Sequence, residues 1–385
     1  MRILFLVPFT NLAKQNAESV HVRELAQNLA ALGHEVALVS CACGSNAEDA
    51  RVRVKGVRQE FVHCAFNACG AFRVFSCAAA GFLKGASLLK KNDFDVVYER
   101  HYPLGVGVTL ARLFRTRCVS EVNGFWSDEA RLSKSVLKRF LSRFSRFEFV
   151  VSRNADKLVA VTPQIAFELE REWKIAREKI RVIENGVNTE VFRPCRAGKQ
   201  SRIPTVCFVG SLAPWQGVEE LIRAAPLVVN KIPSARFLVV GDGPLRRQLE
   251  ELAQSEGVAR NIIFTGSKPY EQIPRLIAGA NVCVALKRPL KSGYSPLKLY
   301  EYFACAKPVV ATRTAGFEIV ERKRLGFLVN PQNAREVADA ILSLLSNSRN
   351  AQEMGAKARK FVVKEHSWRC VARKVAAVCM EAVSA

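Results

Sequence analysis

Short apolar runs alternate with amphipathic stretches along the first half of this chain, and that alternation limits the folds it can adopt. Residues 3–7 form an apolar run that Pro8 closes, and residues 19–32 follow with the spacing of a helix. Further short apolar runs lie at 35–40, 96–98, 118–122 and 157–162. Strands that alternate with helices favour a parallel, doubly wound sheet, so we predict an α/β fold.

The alternation restarts after a polar, basic segment at 193–201, whose Pro194 and Gly198 suit a linker. New apolar runs lie at 205–209, 237–240, 262–265, 282–286 and 308–312. We therefore predict two Rossmann-like domains, over residues 1–195 and 203–350, and C-terminal helices over 351–385 that cross back to the first domain. Because ligands of open parallel sheets bind outside the carboxyl ends of the strands, we expect a ligand cleft between the two domains.

Charge and cysteine usage narrow the choice of partners and compartment. The chain has 58 Lys and Arg against 35 Asp and Glu, a formal charge of +23, which indicates a polyanionic partner. It lacks an RNA- or DNA-binding motif, so we predict no nucleic acid and favour an anionic membrane surface. No apolar segment is long enough to span a bilayer. The 12 cysteines are scattered without a metal-ligand spacing, and we interpret them as reduced thiols in the cytoplasm.

Residues 295–312 carry the most informative pattern. Ser295 and Pro296 fit the N-cap and first turn of a helix, whose free backbone N–H groups and positive end would hold a diphosphate. Glu301 follows in the same helix and is placed to accept hydrogen bonds from two ribose hydroxyls. The alternative is a capped helix with an exposed glutamate.

This segment resembles the E-x7-E region of the family-4 retaining glycosyltransferases. The resemblance spans almost the whole chain, and it implies the GT-B fold, in which two Rossmann-like domains face a cleft. It also implies transfer of a sugar from a nucleotide-sugar donor to an acceptor with retention of the anomeric configuration. The other matching pieces are 30–36 (AALGHEV), 183–188 (IENGVN), 192–194 (FRP), 208–212 (FVGSL) and 239–244 (VVGDGP).

Three features depart from the family pattern. Gly293 stands where the first glutamate of the motif belongs, and residues 16–18 (Asn-Ala-Glu) replace an N-terminal glycine pair. In the loop after Gly210, Ser211 and Gln216 stand where the family usually carries an Arg and a Lys toward the diphosphate. A subset of the family resembles this chain in its P-W-x-G loop and S-P-L-K helix start, so we interpret the departures as divergence.

Lys298 is predicted to supply the missing positive charge, since lysine serves phosphate as a point charge. The upstream Lys287, Arg288 and Lys291 either support it or form a solvated basic loop. Lys298 is the predicted catalytic cation, and the predicted donor-binding residues are Gly210, Ser211, Gln216, Gly266, Ser267, Lys268, Ser295, Pro296, Leu297 and Glu301.

Asn123 ends a predicted strand of the first domain, at a place where the family often carries a His near the transferred sugar. Asparagine can hydrogen-bond a sugar hydroxyl but cannot titrate, so the predicted catalytic role of Asn123 is not that of an acid or base. The alternative is an ordinary Asn-Gly turn. The residues predicted to line the acceptor side are Glu18, Glu99, Arg100 and His101.

Asp93 and Asp95 form a D-x-D pattern that resembles a metal site, but the pattern precedes a strand and so lies at the edge of the sheet away from ligands. We therefore predict a reaction that needs no metal and no cofactor. In it, the helix N-terminus and basic residues stabilise the departing nucleoside diphosphate.

Residues 131–153 have apolar residues at helical spacing on one face and basic residues on the other. This pattern predicts a helix that lies on an anionic leaflet, with peripheral membrane association and a lipid-linked or membrane-resident glycan acceptor. The alternative is a helix packed on its domain with a solvated basic face. The predicted membrane-facing residues are Lys134, Lys138, Arg139, Phe140, Phe144 and Arg146.

Two other functions fit parts of the pattern. A sugar-nucleotide 2-epimerase shares the GT-B architecture, but such an enzyme needs several acidic and histidine residues in its cleft, and this chain has 5 histidines in all. A catalytically silent subunit that binds a nucleotide sugar is the other alternative, which the missing motif glutamate motivates. A donor-hydrolysis assay separates these functions.

Overall fold

The computed structural model describes residues 1–14, 16–42, 52–63, 70–102, 104–125, 150–194, 203–289 and 293–385. The chain forms two compact units, one of Met1–Asn185 with Trp368–Ala385 and one of Gly186–Ser367. Residues 186–194 therefore belong to the second unit and precede most of the segment predicted as the linker.

A seven-stranded sheet forms the first unit, in the order β3-β2-β1-β4-β5-β6-β7, and every pairing between neighbouring strands is parallel. The strands are β1 (Arg2–Asn11), β2 (Glu35–Ala42), β3 (Arg58–His63), β4 (Val96–Arg100), β5 (Arg117–Val122), β6 (Lys157–Ala160) and β7 (Ile180–Val182). The helices between them are α1 (Ala17–Ala31), α2 (Gly70–Lys91), α3 (Val106–Leu113) and α4 (Pro163–Arg171).

A six-stranded sheet forms the second unit, in the order β10-β9-β8-β11-β12-β13, again with parallel pairings. Its strands are β8 (Thr205–Val209), β9 (Arg236–Val240), β10 (Ile262–Phe264), β11 (Val282–Ala285), β12 (Val309–Thr312) and β13 (Gly326–Val329). Its helices are α5 (Val218–Val229), α6 (Arg246–Ser255), α7 (Ile273–Gly279), α8 (Leu297–Ala304), α9 (Ile319–Arg322), α10 (Ala334–Ser346) and α11 (Ser348–Glu365). The prediction of two Rossmann-like parallel sheets is confirmed.

Continuous apolar runs form the central strands because helices cover both faces of a parallel sheet. In β1, Ile3, Leu4 and Phe5 are each at most 1% exposed, and in β11 residues 282–285 are all buried. Among the free cysteines, Cys118, Cys207 and Cys283 lie inside these strands. Cys77 is disulfide-bonded, so the interpretation that all cysteines are reduced thiols is wrong at that position.

The C-terminal stretch from 352 to 383 divides into two helices. Helix α11 packs on α8 in the second unit, where a Cβ on Gly355 would lie 2.0 Å from the carbonyl oxygen of Ala306. The next helix, α12 (Trp368–Ser384), packs on α1 and β5 in the first unit. Among the described helices, none is both long and apolar enough to cross a membrane.

Candidate active site

Glycines at the carboxyl ends of β8, β9 and β10 let three loops of the second unit meet. The amide of Gly210 donates to Val240 O at 2.9 Å, and the amide of Gly241 donates to Gly266 O at 3.0 Å. A Cβ on Gly241 would lie 1.9 Å from Gly210 O, and the φ of Gly241 is +136°. Only glycine allows the two loops to come this close, so backbone atoms form the surface at the carboxyl end of this sheet.

Helix α8 starts beside this end of the sheet, but one residue later than the sequence indicates. It begins at Leu297 with Pro296 as its cap, and no side chain caps it. The prediction of Ser295 as the N-cap is therefore wrong, because the ψ of Pro296 is 86°, outside the helical range. Lys298 lies in the first turn of this helix.

The ammonium of Lys298 reaches the loop after β8. Its Nζ lies 2.7 Å from Gln216 Oε1 and 4.3 Å from the centre of the Phe208 ring. A Cβ on Gly210 would lie 2.7 Å from the same Nζ. Burial, with a contribution from Lys287, holds the pKa of Lys298 well below its usual value, against the opposing charge of Glu301. The structure thus brings together Gly210, Gln216 and Lys298 from the predicted donor residues.

Glu301 and Lys287 complete a group of poorly compensated charges. Burial raises the pKa of Glu301 to about 7, although the charge of Lys298 opposes the shift. Burial also lowers the pKa of Lys287 to about 8, and its Nζ lies 4.0 Å from the centre of the Tyr294 ring. Lys287 is therefore not part of a solvated loop, whereas Arg288 is exposed. Groups whose pKa values shift toward the neutral form often mark functional sites.

The remaining predicted donor residues lie on loops of the same unit. Ser211 follows Gly210 and is exposed, and Ser267 and Lys268 are exposed after β10. The φ of Gly266 is +68°, and its carbonyl accepts the Gly241 amide. These positions are open to a ligand, and their roles stay predictions.

A buried carboxylate, Glu121, organises the carboxyl end of the sheet in the first unit. It is 2% exposed and accepts hydrogen bonds from Tyr98 OH at 2.5 Å and Asn123 Nδ2 at 2.5 Å. His21 Nε2 lies 2.9 Å from its Oε1, and the guanidinium of Arg100 lies 4.0 Å away. Burial alone would raise the pKa of Glu121, but His21, followed by Arg100 and Tyr98, lowers it to about 2.

Glu18 joins this group from α1. It accepts hydrogen bonds from Thr10 Oγ1 and Tyr102 OH, both at 2.6 Å, and its Oε1 lies 3.9 Å from Arg100 Nε. The structure therefore brings together Asn123, Arg100 and Glu18 from the predicted residues of the first domain.

Of the other two predicted acceptor residues, Glu99 lies in the interior of the first unit and His101 is half-buried. Glu99 is 3% exposed and accepts from the amide of Gly107 at 2.7 Å and from Ser120 Oγ at 2.9 Å. Burial raises the pKa of Glu99 to about 7 and lowers the pKa of His101 to about 3. The prediction that Glu99 lines an acceptor surface is wrong, because its carboxyl group joins β4 to α3 and β5.

Sequence reasoning missed Glu121 and His21. A carboxylate within the apolar run 118–122 was the available signal, since a charged residue there must be buried with partners. His21 is 3% exposed, and its Nδ1 lies 2.7 Å from Asn185 Oδ1. The residues of α1 gave no indication that this histidine would reach positions 121 and 185.

The D-x-D pattern lies at the other edge of the first sheet. Asp95 Oδ2 accepts from the amide of Arg2 at 2.7 Å, where β1 begins. Within the described ranges, no group of three or more His, Cys, Asp or Glu residues is arranged to hold a metal ion. The predicted membrane-facing residues, from Lys134 to Arg146, lie outside the described part of the chain.

Two parallel Rossmann-like sheets, with glycine loops and a lysine-bearing helix start at the carboxyl end of the second, are the architecture of a GT-B protein. Residues 19–191 match the family described as Glycosyltransferase Family 4, and residues 203–347 match the family described as Glycosyl transferases group 1. The chain belongs to the family-4 GT-B glycosyltransferases.

A named relative agrees with this assignment, and solved structures share the fold. The GDP-mannose-dependent alpha-(1-6)-phosphatidylinositol monomannoside mannosyltransferase of Mycobacterium tuberculosis is 31% identical over 307 residues, which cover 75% of this chain and 76% of that protein. Sucrose-phosphate synthase from Thermosynechococcus elongatus has a similar fold, with a TM-score of 0.80 at 21% identity over 99% of this chain and 98% of that chain. Anabaena HepE, solved with UDP and glucose, gives a TM-score of 0.75 at 18% identity over 99% and 100% of the two chains.

Proposed function

We propose that this protein transfers a sugar from a nucleotide sugar to a lipid-linked or membrane-resident glycan, with retention of the anomeric configuration and without a metal. The observation that carries the proposal is the position of Lys298, in the first turn of α8 and 2.7 Å from Gln216 in the loop after β8. A diphosphate at the start of α8 would meet this ammonium together with backbone N–H groups.

The electrostatics of the second unit support a doubly charged ligand there. The pKa values of Lys298 and Lys287 are lowered mainly by burial. A diphosphate would stabilise the charged form of both lysines, and the same charges would stabilise the nucleoside diphosphate as it departs. Residues of this chain therefore supply the positive charge that other transferases take from a metal ion. Chelator should leave turnover unchanged, and activity that is lost in chelator and restored by Mg²⁺ or Mn²⁺ would contradict metal independence.

Glu301 is proposed to bind the ribose of the donor. Its burial raises its pKa to about 7, and two hydroxyl donors would favour the ionised form. A thermal-shift screen across GDP-mannose, UDP-glucose and other sugar nucleotides tests donor binding, because a ligand of the folded state raises apparent stability. No shift with any sugar nucleotide would contradict the proposal.

Retention rests on the family resemblance rather than on a geometry seen in either unit. NMR of the product gives the anomeric configuration directly. A product with the configuration of the donor supports retention, and an inverted product overturns it.

The proposed membrane-resident acceptor rests on surface chemistry of the first unit and on the name of the mycobacterial relative, which includes a phosphatidylinositol acceptor. Helix α2 carries no Asp or Glu, and it ends in Lys90 and Lys91. Its outer face exposes Phe75 by 62% and Leu83 by 70%. Apolar insertion and basic charge together are what attach a helix to an anionic leaflet.

Vesicle co-sedimentation tests this attachment. Wild-type protein should pellet with anionic but not zwitterionic vesicles, and less so as salt is raised. The substitutions Phe75→Ser and Leu83→Ser should release it, as should replacement of Lys134, Lys138, Arg139 and Arg146 with Gln, because each cation contributes on the order of 1 kcal/mol. Phe167→Ser, at a side chain that is 56% exposed on α4, is the matched control. Wild-type protein that ignores anionic vesicles at low salt would contradict the membrane proposal.

A silent binding subunit is the second proposal, favoured by Gly293 at the place of the first motif glutamate and by its φ of +66°. Slow hydrolysis of the donor by purified protein distinguishes the enzyme from such a subunit.

A further inference from the structure

The hydrogen bond between Asn123 and Glu121 fixes which end of the Asn123 amide faces outward. The two side chains meet at 2.5 Å, and the pKa of Glu121 is about 2, so the carboxylate is ionised near neutral pH. An ionised carboxylate only accepts hydrogen bonds. The atom of Asn123 that faces Glu121 must therefore be the Nδ2 amide nitrogen, which leaves Oδ1 pointing away.

Other donors hold Glu121 in this position. Tyr98 OH donates to Oε2 at 2.5 Å, and His21 Nε2, which must carry a proton to bond a carboxylate, lies 2.9 Å from Oε1. Tyr98 is fully buried and His21 is 3% exposed. The carboxylate has no freedom to turn, whereas Asn123 is half-buried at the end of β5 and keeps one side toward solvent.

We propose that Glu121 is a positioning residue, which orients the Asn123 amide so that Oδ1 accepts a hydrogen bond from a hydroxyl of the transferred sugar. The inference rests on the proposed function, because it takes Asn123 to contact that sugar. It goes further in naming the atom presented and the residue that presents it. Glu121 itself does not touch the substrate.

A reciprocal exchange of the two side chains tests the proposal. Asn123→Asp sets two carboxylates against each other, and turnover should fall by about ten- to hundredfold, as for the loss of a charge-assisted contact. Adding Glu121→Gln restores an N–H donor on one side and an acceptor on the other. The double variant should therefore be at least about tenfold more active than Asn123→Asp. A purely structural role for Glu121 gives no such rescue.

The same logic applies to a double-mutant cycle. If Glu121 acts through Asn123, Glu121→Gln should lower turnover in the wild-type background and change little in the Asn123→Ala background. Equal losses in both backgrounds, or a double variant no better than Asn123→Asp, would overturn the proposal. Asn123 is half-buried at the end of a strand, so Asn123→Asp should leave the fold intact. The comparison of the double variant with Asn123→Asp therefore remains informative even if Glu121→Gln alone lowers the folded fraction.

A binding readout separates this inference from the proposed function. The thermal shift of each variant is measured with GDP-mannose against GDP and with UDP-glucose against UDP, so that the difference reports contacts to the sugar. The extra thermal shift that the sugar nucleotide gives over its nucleoside diphosphate should be lost in Asn123→Asp and should return in the double variant. That result supports the positioning role even without turnover. Wild-type binding without transfer contradicts the enzyme, and an increment that the exchange does not restore contradicts the role of Glu121.

Discussion

The buried charged groups at the carboxyl ends of the two sheets differ in how fully neighbouring side chains compensate them. In the first unit, burial would raise the pKa of Glu121, but His21, Arg100 and Tyr98 lower it to about 2. In the second unit, burial raises the pKa of Glu301 to about 7 and lowers the pKa of Lys298 well below its usual value. Side chains of the first unit compensate the charge of Glu121, whereas the charges of Glu301 and Lys298 in the second unit are only weakly compensated by neighbouring groups.

This difference indicates that the two units have different roles. A carboxylate with several fixed donors acts as a rigid support, because any change in its partners costs free energy. Buried charges with weak compensation are poised for a charged ligand, which supplies the missing partners. We therefore propose that the second unit recognises the nucleotide diphosphate and that the first unit orients a polar side chain.

The largest effect is expected at Lys298. Lys298→Gln removes the cation beside the Gly210 loop and should lower turnover by about 100-fold or more, the scale of a lost electrostatic contact in the transition state. Because Nζ lies 2.7 Å from Gln216 Oε1, the variant Gln216→Lys/Lys298→Gln returns an ammonium to almost the same place. Steady-state kinetics should show recovery of at least about tenfold.

Lys231→Gln, at an exposed lysine of the same unit, is the matched control and should leave turnover unchanged. If Lys298→Gln retains full turnover, the diphosphate charge is compensated elsewhere. If the exchanged variant is as slow as Lys298→Gln, the position of the ammonium relative to Gln216 is not what matters.

A smaller effect is expected from pH on donor affinity. Glu301 must be ionised to accept two hydroxyl groups, so affinity should fall by up to about tenfold per unit as the pH drops below about 7. Lys287 has a pKa of about 8, so its deprotonation should weaken diphosphate binding as the pH rises above that value. Calorimetric titrations from about pH 5.5 to about pH 9, a range that includes both pKa values, measure the loss of affinity on the acid side and on the basic side. An acid limb that persists in Glu301→Gln would contradict the assignment.

The smallest effect is on stability, where the two carboxylates should differ in sign. Glu121 has a pKa below the usual 4.5, so its stabilisation is present above about pH 4.5 and is lost as the pH falls toward 2. Glu301 has a raised pKa, so its ionisation destabilises the fold increasingly as the pH rises from 4.5 through 7. At pH 8, Glu121→Gln should lower the free energy of unfolding and Glu301→Gln should raise it, each by roughly 1 to 3 kcal/mol.

Urea unfolding of both variants against wild type, at pH 5 and pH 8, checks the signs. Glu99 also has a raised pKa, of about 7, so each variant is compared with wild type at the same pH rather than across pH values. Changes of the same sign in both variants would contradict the proposed difference between the two sheets.

The sequence predicts the central strands well and the edge strands poorly. The runs at 3–7 and 205–209 are buried on both faces and therefore continuously apolar, which makes them easy to find. The strand Arg58–His63 pairs on one side only and is mostly polar, and Ile180–Val182 has three residues. Edge strands need less apolar surface, so their residues carry a weaker pattern.

In the candidate site, too, the sequence predicts the residues that lie in clear local patterns and misses those that do not. Gly210 and Lys298 lie in local motifs whose chemistry can be read from neighbouring residues. Of the partners of Glu121, Tyr98 comes from the neighbouring strand β4 and His21 comes from helix α1, and only the fold brings these distant positions together. The start of α8 also differs from its local signal, because Ser-Pro is a common N-cap pair but the ψ of Pro296 delays the helix.

The most direct test of the division between the units is a calorimetric titration of one sugar nucleotide, GDP-mannose or UDP-glucose, and separately of its nucleoside diphosphate, GDP or UDP. Both ligands are titrated into wild type, Glu301→Ala and Glu121→Gln side by side. Glu301→Ala should lose about 1.5 to 3 kcal/mol of donor binding free energy, as for a charge-assisted hydrogen bond. Glu121→Gln should bind the corresponding nucleoside diphosphate as tightly as wild type, because the contacts of the Glu121 carboxylate among the described residues are all with the first unit. Unchanged donor affinity in Glu301→Ala, together with weakened GDP or UDP binding in Glu121→Gln, would contradict the account.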